Sequence, residues 1–175
     1  MKAALLCNGP SRVAYSASSQ YNYVMGCNVP WTKVDSTVVI DKGMATFWWN
    51  QREKFDNEAF TATVPIYMSN RCWMVVKHKT NADYWKERLL GFVDAGTKED
   101  SSGHVAARQL IALGYKEIDI YGCDAWFKDD TVSYTHEVLI KNRDADKLIS
   151  NAIGWRKTWN DIMQLNPDVK LNFIE

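Results

Sequence analysis

Three short apolar runs near the start of the chain each break off into a small polar turn. Residues 2–7 end at Asn8-Gly9-Pro10-Ser11, residues 23–27 at Asn28, and residues 37–40 at Asp41-Lys42-Gly43. Short runs that are apolar on consecutive positions, rather than on alternate ones, are the pattern of strands covered on both faces, as in a parallel sheet. Pro10 suits the first turn of a helix, where its missing N–H costs nothing. This arrangement fixes where to look for function, because ligands of open α/β sheets bind outside the carboxyl ends of the strands.

The remainder fits the same plan. Residues 60–68 and 72–77 are β-rich and separated by Ser69-Asn70-Arg71, which predicts a hairpin whose first arm, containing Pro65, lies at an edge. Residues 83–90 read as a short helix. Ser101-Ser102-Gly103 opens a helical pattern over residues 104–113 that Gly114 ends, and residues 117–121 read as a strand stopping at Gly122-Cys123-Asp124. Residues 145–165 form a long helix with Leu148, Ala152, Trp155, Trp159 and Ile162 on one face, stopped by Pro167. Residues 169–174 alternate and make a last strand at an edge. The expected architecture is a single Rossmann-like α/β domain spanning residues 1–175, a doubly wound, mostly parallel sheet with helices on both faces and residues 125–144 as a short lid-like insertion.

Composition narrows the function. The 175 residues carry 21 Lys and Arg against 21 Asp and Glu, so the positive field that nucleic-acid binding requires is missing. Four cysteines without a CxxC pair read as reduced thiols; Cys7, Cys27 and Cys123 each close an apolar run as small buried hydrophobes, and no zinc or other metal site is expected. The apolar run before Cys7 is too short for a signal-peptide core, and no stretch is long enough to span a membrane, so a cytoplasmic protein is expected. Aromatic residues are abundant, with 8 Trp, 8 Tyr and 6 Phe. For any one of Trp31, Trp48, Trp49 or Trp126, core packing competes with stacking on a ligand, and core packing is the preferred reading.

The candidate binding residues are the polar ones at strand ends and helix starts. Asn8, Gly9, Pro10 and Ser11 lie between the first strand and an expected first helix, where free amides meet the positive end of a helix dipole. Ser101, Ser102 and Gly103 form a second helix start, with His104 on its first turn. Asn28, Asp41 and Asp124 complete one rim. No GxGxxG and no P-loop lysine accompany them. Lys128-Asp129-Asp130 reads as a solvated loop rather than a metal-binding pair of carboxylates, and His78, between Lys77 and Lys79, as part of a basic solvated end.

Leu6 to Ser11, Gly26-Cys27-Asn28, Ser102-Gly103 and the block from Ala112-Leu113-Gly114-Tyr115-Lys116-Glu117-Ile118 through Gly122-Cys123-Asp124 resemble, in order and placement, the bacterial sialyltransferases that use CMP-sialic acid, and related phage and flagellin-modification proteins. The resemblance covers residues 1–43 and 100–126. It implies a nucleotide-sugar site with Asn8, Ser11 and Asn28 near the nucleotide, Ser101 to Gly103 opposite, no catalytic metal and no cofactor beyond the donor itself. It also implies a glycan acceptor and a histidine base, for which His136 in the lid-like segment is the candidate. Trp126 stands where the family commonly has a tyrosine that donates to the phosphate, a role Tyr134 is placed to take over, and Asp41 stands where the family tends to have asparagine. The expected activity is an inverting, metal-independent glycosyl transfer. A non-catalytic nucleotide-binding protein that kept the donor pocket, acting as a sensor, sponge or assembly subunit, and a nucleotide-sugar hydrolase are the alternatives. Trp155, Trp159 and the last strand leave a homo-oligomer open.

Overall fold

A computed structural model describes residues 1–18, 20–97, 100–129 and 145–175, with the side chains of 145–148 and 150 excepted. Seven strands form one sheet in which every pairing is parallel. They are β1 (Lys2–Leu6), β2 (Tyr23–Cys27), β3 (Ser36–Val39), β4 (Ile66–Ser69), β5 (Leu89–Val93), β6 (Glu117–Tyr121) and β7 (Lys170–Ile174). Their spatial order is β5-β4-β3-β2-β1-β6-β7. The chain winds outward from β1 to β5, then crosses back to lay β6 against the other side of β1. The winding direction therefore reverses between β1 and β6, the topological switch point where open α/β sheets place their ligands.

Alternation along the strands builds two cores. Ala3, Leu5 and Cys7 of β1 and its turn, with Ile118 and Ile120 of β6, pack under α5 (Ser102–Ala112) and α6 (Ala145–Leu165) through Val105, Ala106, Leu110, Trp159 and Ile162. On the opposite face Val39, Ile66 and Met68 pack against α1 (Lys42–Asn50), α2 (Arg52–Asp56), α3 (Asn70–Lys79) and α4 (Ala82–Lys86). Helices thus cover both faces. Trp48, Trp85 and Trp159 are fully buried, which accounts for part of the aromatic abundance by packing alone. Ala4, Leu6 and Tyr121 point to the same side as α1 to α4, and among the described residues Tyr15, Tyr21, Trp31 and Val34 of the loops pack on them, with Val24 and Ile174 of the neighbouring strands.

Three local expectations are corrected. The hairpin over residues 60–77 does not form. Residues 72–77 lie inside α3, because the Ser69 hydroxyl caps that helix by accepting from the Cys72 amide. A parallel neighbour for β4 also requires a crossover rather than a tight turn. The short helix expected over 83–90 ends early, and Leu89–Val93 becomes the edge strand β5. After Asn8 the chain makes only the single 3-10 turn Pro10–Ala14.

Candidate functional site

At the switch point the turns after β1 and β6 are sewn together. The Gly9 amide donates to the Gly122 carbonyl at 2.7 Å, and the Cys7 amide to the Tyr121 carbonyl at 2.8 Å. Asp124 accepts from both the backbone amide and the hydroxyl of Ser11, each at 3.0 Å through Oδ2. A β-carbon on Gly9 would lie 2.1 Å from that oxygen and 2.5 Å from the Gly122 carbonyl, so the approach of the two turns requires glycine there. Gly122 sits at φ +71, where a side chain would also meet the Cys7 carbonyl.

Beside this seam, Asn8 is buried and its Nδ2 donates to the Cys27 carbonyl at 3.1 Å, which fixes its orientation at the end of β2. Asn28 follows in a left-handed conformation, φ 61, tied by its amide to the Val38 carbonyl and by its own carbonyl to the Thr37 hydroxyl. Asparagine is among the few side chains that tolerate this region, and such backbone positions cluster at binding sites. The Ser102 hydroxyl stands 3.5 Å from Asn28 Oδ1, so the start of α5 reaches over the ends of β1 and β2. The first amides of a helix have no partner within it, and Ser102 and Gly103 occupy those positions in α5. Asp41 caps α1 instead, accepting from the Gly43 amide at 2.7 Å, and is exposed at the end of β3.

His104 is fully buried under the same helix start. Its Nδ1 accepts from the Ser101 amide at 2.9 Å, and its Nε2 donates to the Trp155 carbonyl of α6 at 3.0 Å, which fixes the neutral tautomer. Burial drives its pKa down to about 4. A ligand contact through His104 would have to break one of these bonds. Trp126 stacks on Phe173 at 4.2 Å, nearly parallel, against the α5–α6 core. Arg156 of α6 donates to the Ala125 carbonyl and ion-pairs with Asp129, holding the segment after Asp124. The thiols of Cys7, Cys27 and Cys123 gather beneath the turns. The bond from Cys7, together with burial, pushes the Cys123 thiol well above its ordinary range, so it remains protonated.

No protein-family model and no curated protein sequence matches the chain. Among solved structures, a mutant of the alpha-2,3/8-sialyltransferase CstII is similar in fold, with a TM-score of 0.57, 19% identity, 99% of this chain covered and 81% of that one. The chain thus has a sialyltransferase-like α/β fold.

The structure brings together Asn8, Gly9, Pro10, Ser11, Asn28, Ser101, Ser102, Gly103 and Asp124, and leaves Asp41 farther along the rim at the start of α1. Tyr134, His136 and most of the lid-like segment lie outside the described residues. His78 is exposed on the last turn of α3, a helix that begins at the carboxyl end of β4 and runs back toward the other end of the sheet. Among the described residues, no three His, Cys, Asp or Glu side chains converge as a metal site, and no helix is long and apolar enough to cross a membrane. Two features escaped sequence reasoning. The Ser11–Asp124 pair joins positions 113 apart, and the His104–Trp155 bond positions 51 apart. Only the N3 spacing from Ser101 to His104, which is that of a capping box, was a local signal for the second.

Proposed function

We propose that the chain is a glycosyltransferase-like protein that binds a nucleoside monophosphate sugar, a CMP-sugar above all, in the crevice between β1 and β6. It would transfer the sugar to a glycan acceptor hydroxyl with inversion and without a metal. The observation that carries this reading is the difference in charge among three backbone N-termini on one rim. The turn at Ser11 already holds the Asp124 carboxylate and α1 holds that of Asp41, whereas the first turn of α5 carries no acidic side chain and Asp100, just before it, is paired with Arg108. One anionic group is therefore favoured at Ser102 and Gly103, and the flanking carboxylates oppose a second phosphate. The likeness in fold to a sialyltransferase supports the same reading.

In this scheme Asn8 and Asn28 orient the nucleoside, Asp41 suits a ribose hydroxyl, and Gly9, Pro10, Ser11 and Asp124 hold the turn against which it rests. The bond between the anomeric carbon and the phosphate oxygen breaks, and the leaving monophosphate takes its charge to the α5 amides and the Ser101 and Ser102 hydroxyls. Such preorganised donors need no cation to stabilise that charge. The acceptor oxygen bonds to the anomeric carbon from the opposite side and gives its proton to a base. We assign that base to His136, and assign a hydrogen bond to the leaving phosphate to Tyr134 or the Trp126 indole N–H.

A second reading is a nucleotide binder without transfer chemistry, which the shortness of the lid-like insertion, residues 125–144, favours. A thermal-shift and calorimetric screen of CMP, UDP, GDP and their sugars tests the pocket. CMP compounds are expected to raise Tm most, and Ser102→Ala to weaken them by about tenfold, the worth of one hydrogen bond to a charged group. Diphosphate nucleotides binding as well as CMP, or an indifferent Ser102→Ala, would overturn the pocket. Product analysis with His136→Ala then separates transferase, hydrolase and binder.

A further inference from the structure

The start of α5 has an unusual cap. In the common capping box the N3 position carries glutamate or glutamine, which reaches back to the N-cap amide. Here Ser101 is the N-cap and His104 fills N3, with Nδ1 accepting from the Ser101 amide at 2.9 Å. A glutamate would satisfy that amide equally well but would add a negative charge at the positive end of the helix. The neutral imidazole does not, and it offers what a carboxylate lacks, a second nitrogen that donates to the Trp155 carbonyl across the α5–α6 boundary. Trp159 packs on the same ring at 4.5 Å, so the imidazole is held on its face as well as at both nitrogens.

The tie has a place in a longer chain of contacts around the crevice. Ser102 overhangs Asn28. Residue Trp155, which receives the His104 bond, precedes Arg156, whose guanidinium holds the Ala125 carbonyl. Ala125 follows Asp124, which holds Ser11. His104 therefore links the wall made by α5 to the wall made by the β1 and β6 turns. The ionised groups acting on the imidazole are Asp100, from the loop before α5, and Arg108, on α5 itself; they pair with each other at 3.0 Å and act on it in opposite directions.

We infer that His104 is a positioning residue of the crevice, a charge-free tie that fixes the Ser101–Gly103 turn against α6 while keeping that turn open to an anion. The effect on ligand binding rests on the nucleotide reading proposed above; the tie itself does not.

Three variants test it. His104→Gln retains one acceptor and one donor, His104→Leu has neither, and His104→Glu retains an acceptor while adding charge. Amide hydrogen exchange at Ser101 to Gly103 is read without ligand, and the affinities for CMP and for cytidine are read by calorimetry at pH 7. His104→Gln is expected to stay within about threefold of wild type in exchange and in CMP affinity, as the conservative rescue. His104→Leu is expected to exchange about tenfold faster at Ser101, the loss of one hydrogen bond. His104→Glu is expected to protect Ser101 yet weaken CMP by about three- to tenfold while sparing cytidine, a selectivity for the phosphate set by a charge at a helix terminus. Wild-type exchange in His104→Leu, failure of His104→Gln to rescue, or equal losses of CMP and cytidine in His104→Glu would overturn the inference. If wild-type protein binds no nucleotide, the functional reading falls, and the exchange data alone decide whether the tie exists.

Discussion

Acid should loosen this protein through one imidazole, and the size of the effect follows from its burial. His104 has a folded pKa of about 4 because burial disfavours its charged form, against an ordinary value of 6.5. Between those two values the unfolded chain binds a proton that the folded chain refuses, so stability falls as pH falls. The contribution is intact above pH 6.5 and is lost progressively toward pH 4. At 1.36 kcal/mol per unit, linkage gives a loss of about 2 kcal/mol between pH 7 and pH 5, and about 3 kcal/mol by pH 4. Asp119, whose carboxylate is held below its ordinary range by Lys2, Asn172 and Tyr21 against the opposing effect of burial, adds to the same acid limb. Its effect is common to all variants and cancels in a difference. Urea unfolding of wild type and His104→Gln at pH 7, 6 and 5 isolates the histidine. The wild type should lose about 2 kcal/mol more than the variant by pH 5. Parallel pH profiles would mean that His104 takes up its proton without leaving its site, and the reasoning from burial would fail.

Three further outcomes are expected. Gly9→Ala forces a β-carbon to 2.1 Å from the Asp124 carboxylate, so it should cost about 3 kcal/mol in denaturant unfolding and abolish nucleotide-induced stabilisation. Asp124→Asn keeps an acceptor for Ser11 but loses the charge-assisted bonds; a loss of about 1–2 kcal/mol is expected by the same measurement, and an unchanged midpoint would remove the pair from the account of the seam. Trp48→Ala empties a fully buried site between Phe55 and Trp85, far from the crevice. It should cost about 3–5 kcal/mol in unfolding while leaving ligand affinity within about twofold at temperatures where the variant is folded.

The parts of the molecule legible in the sequence are those where a local signal and the tertiary plan agree. Residues 3–7 are apolar at every position because β1 lies inside the sheet, between β2 and β6, and the Asn8-Gly9 turn marks its end. Ser101 and Gly114 bracket α5 because their side chains, or the lack of one, suit the two helix ends. Residues 72–77 misled for the opposite reason. Cys, Trp and Val favour strands by local preference, yet here they face α1 and β4, and one hydroxyl at Ser69 with the demand for a crossover outweighs that preference. Core packing, the preferred reading for Trp48 and Trp49, is what the structure shows: Trp48 is core, and Trp49 packs on that core with its ring edge to Tyr84.

At the crevice the same logic divides the residues. Asn8, Asn28 and Ser102 were visible because each stands at a strand or helix end, which the pattern locates without knowledge of the fold. The partnerships among them were not, since Ser11 with Asp124 and His104 with Trp155 meet only after the chain reverses its winding between β5 and β6. That reversal also decides charge. It brings Asp124 to Ser11, filling one of the two helix-like starts that local sequence marked as equivalent, and leaves the first turn of α5 without an acidic side chain. A sequence reading could therefore name both turns as anion sites, but only the topology distinguishes the turn that already holds its anion from the one that accepts it on the reading proposed above.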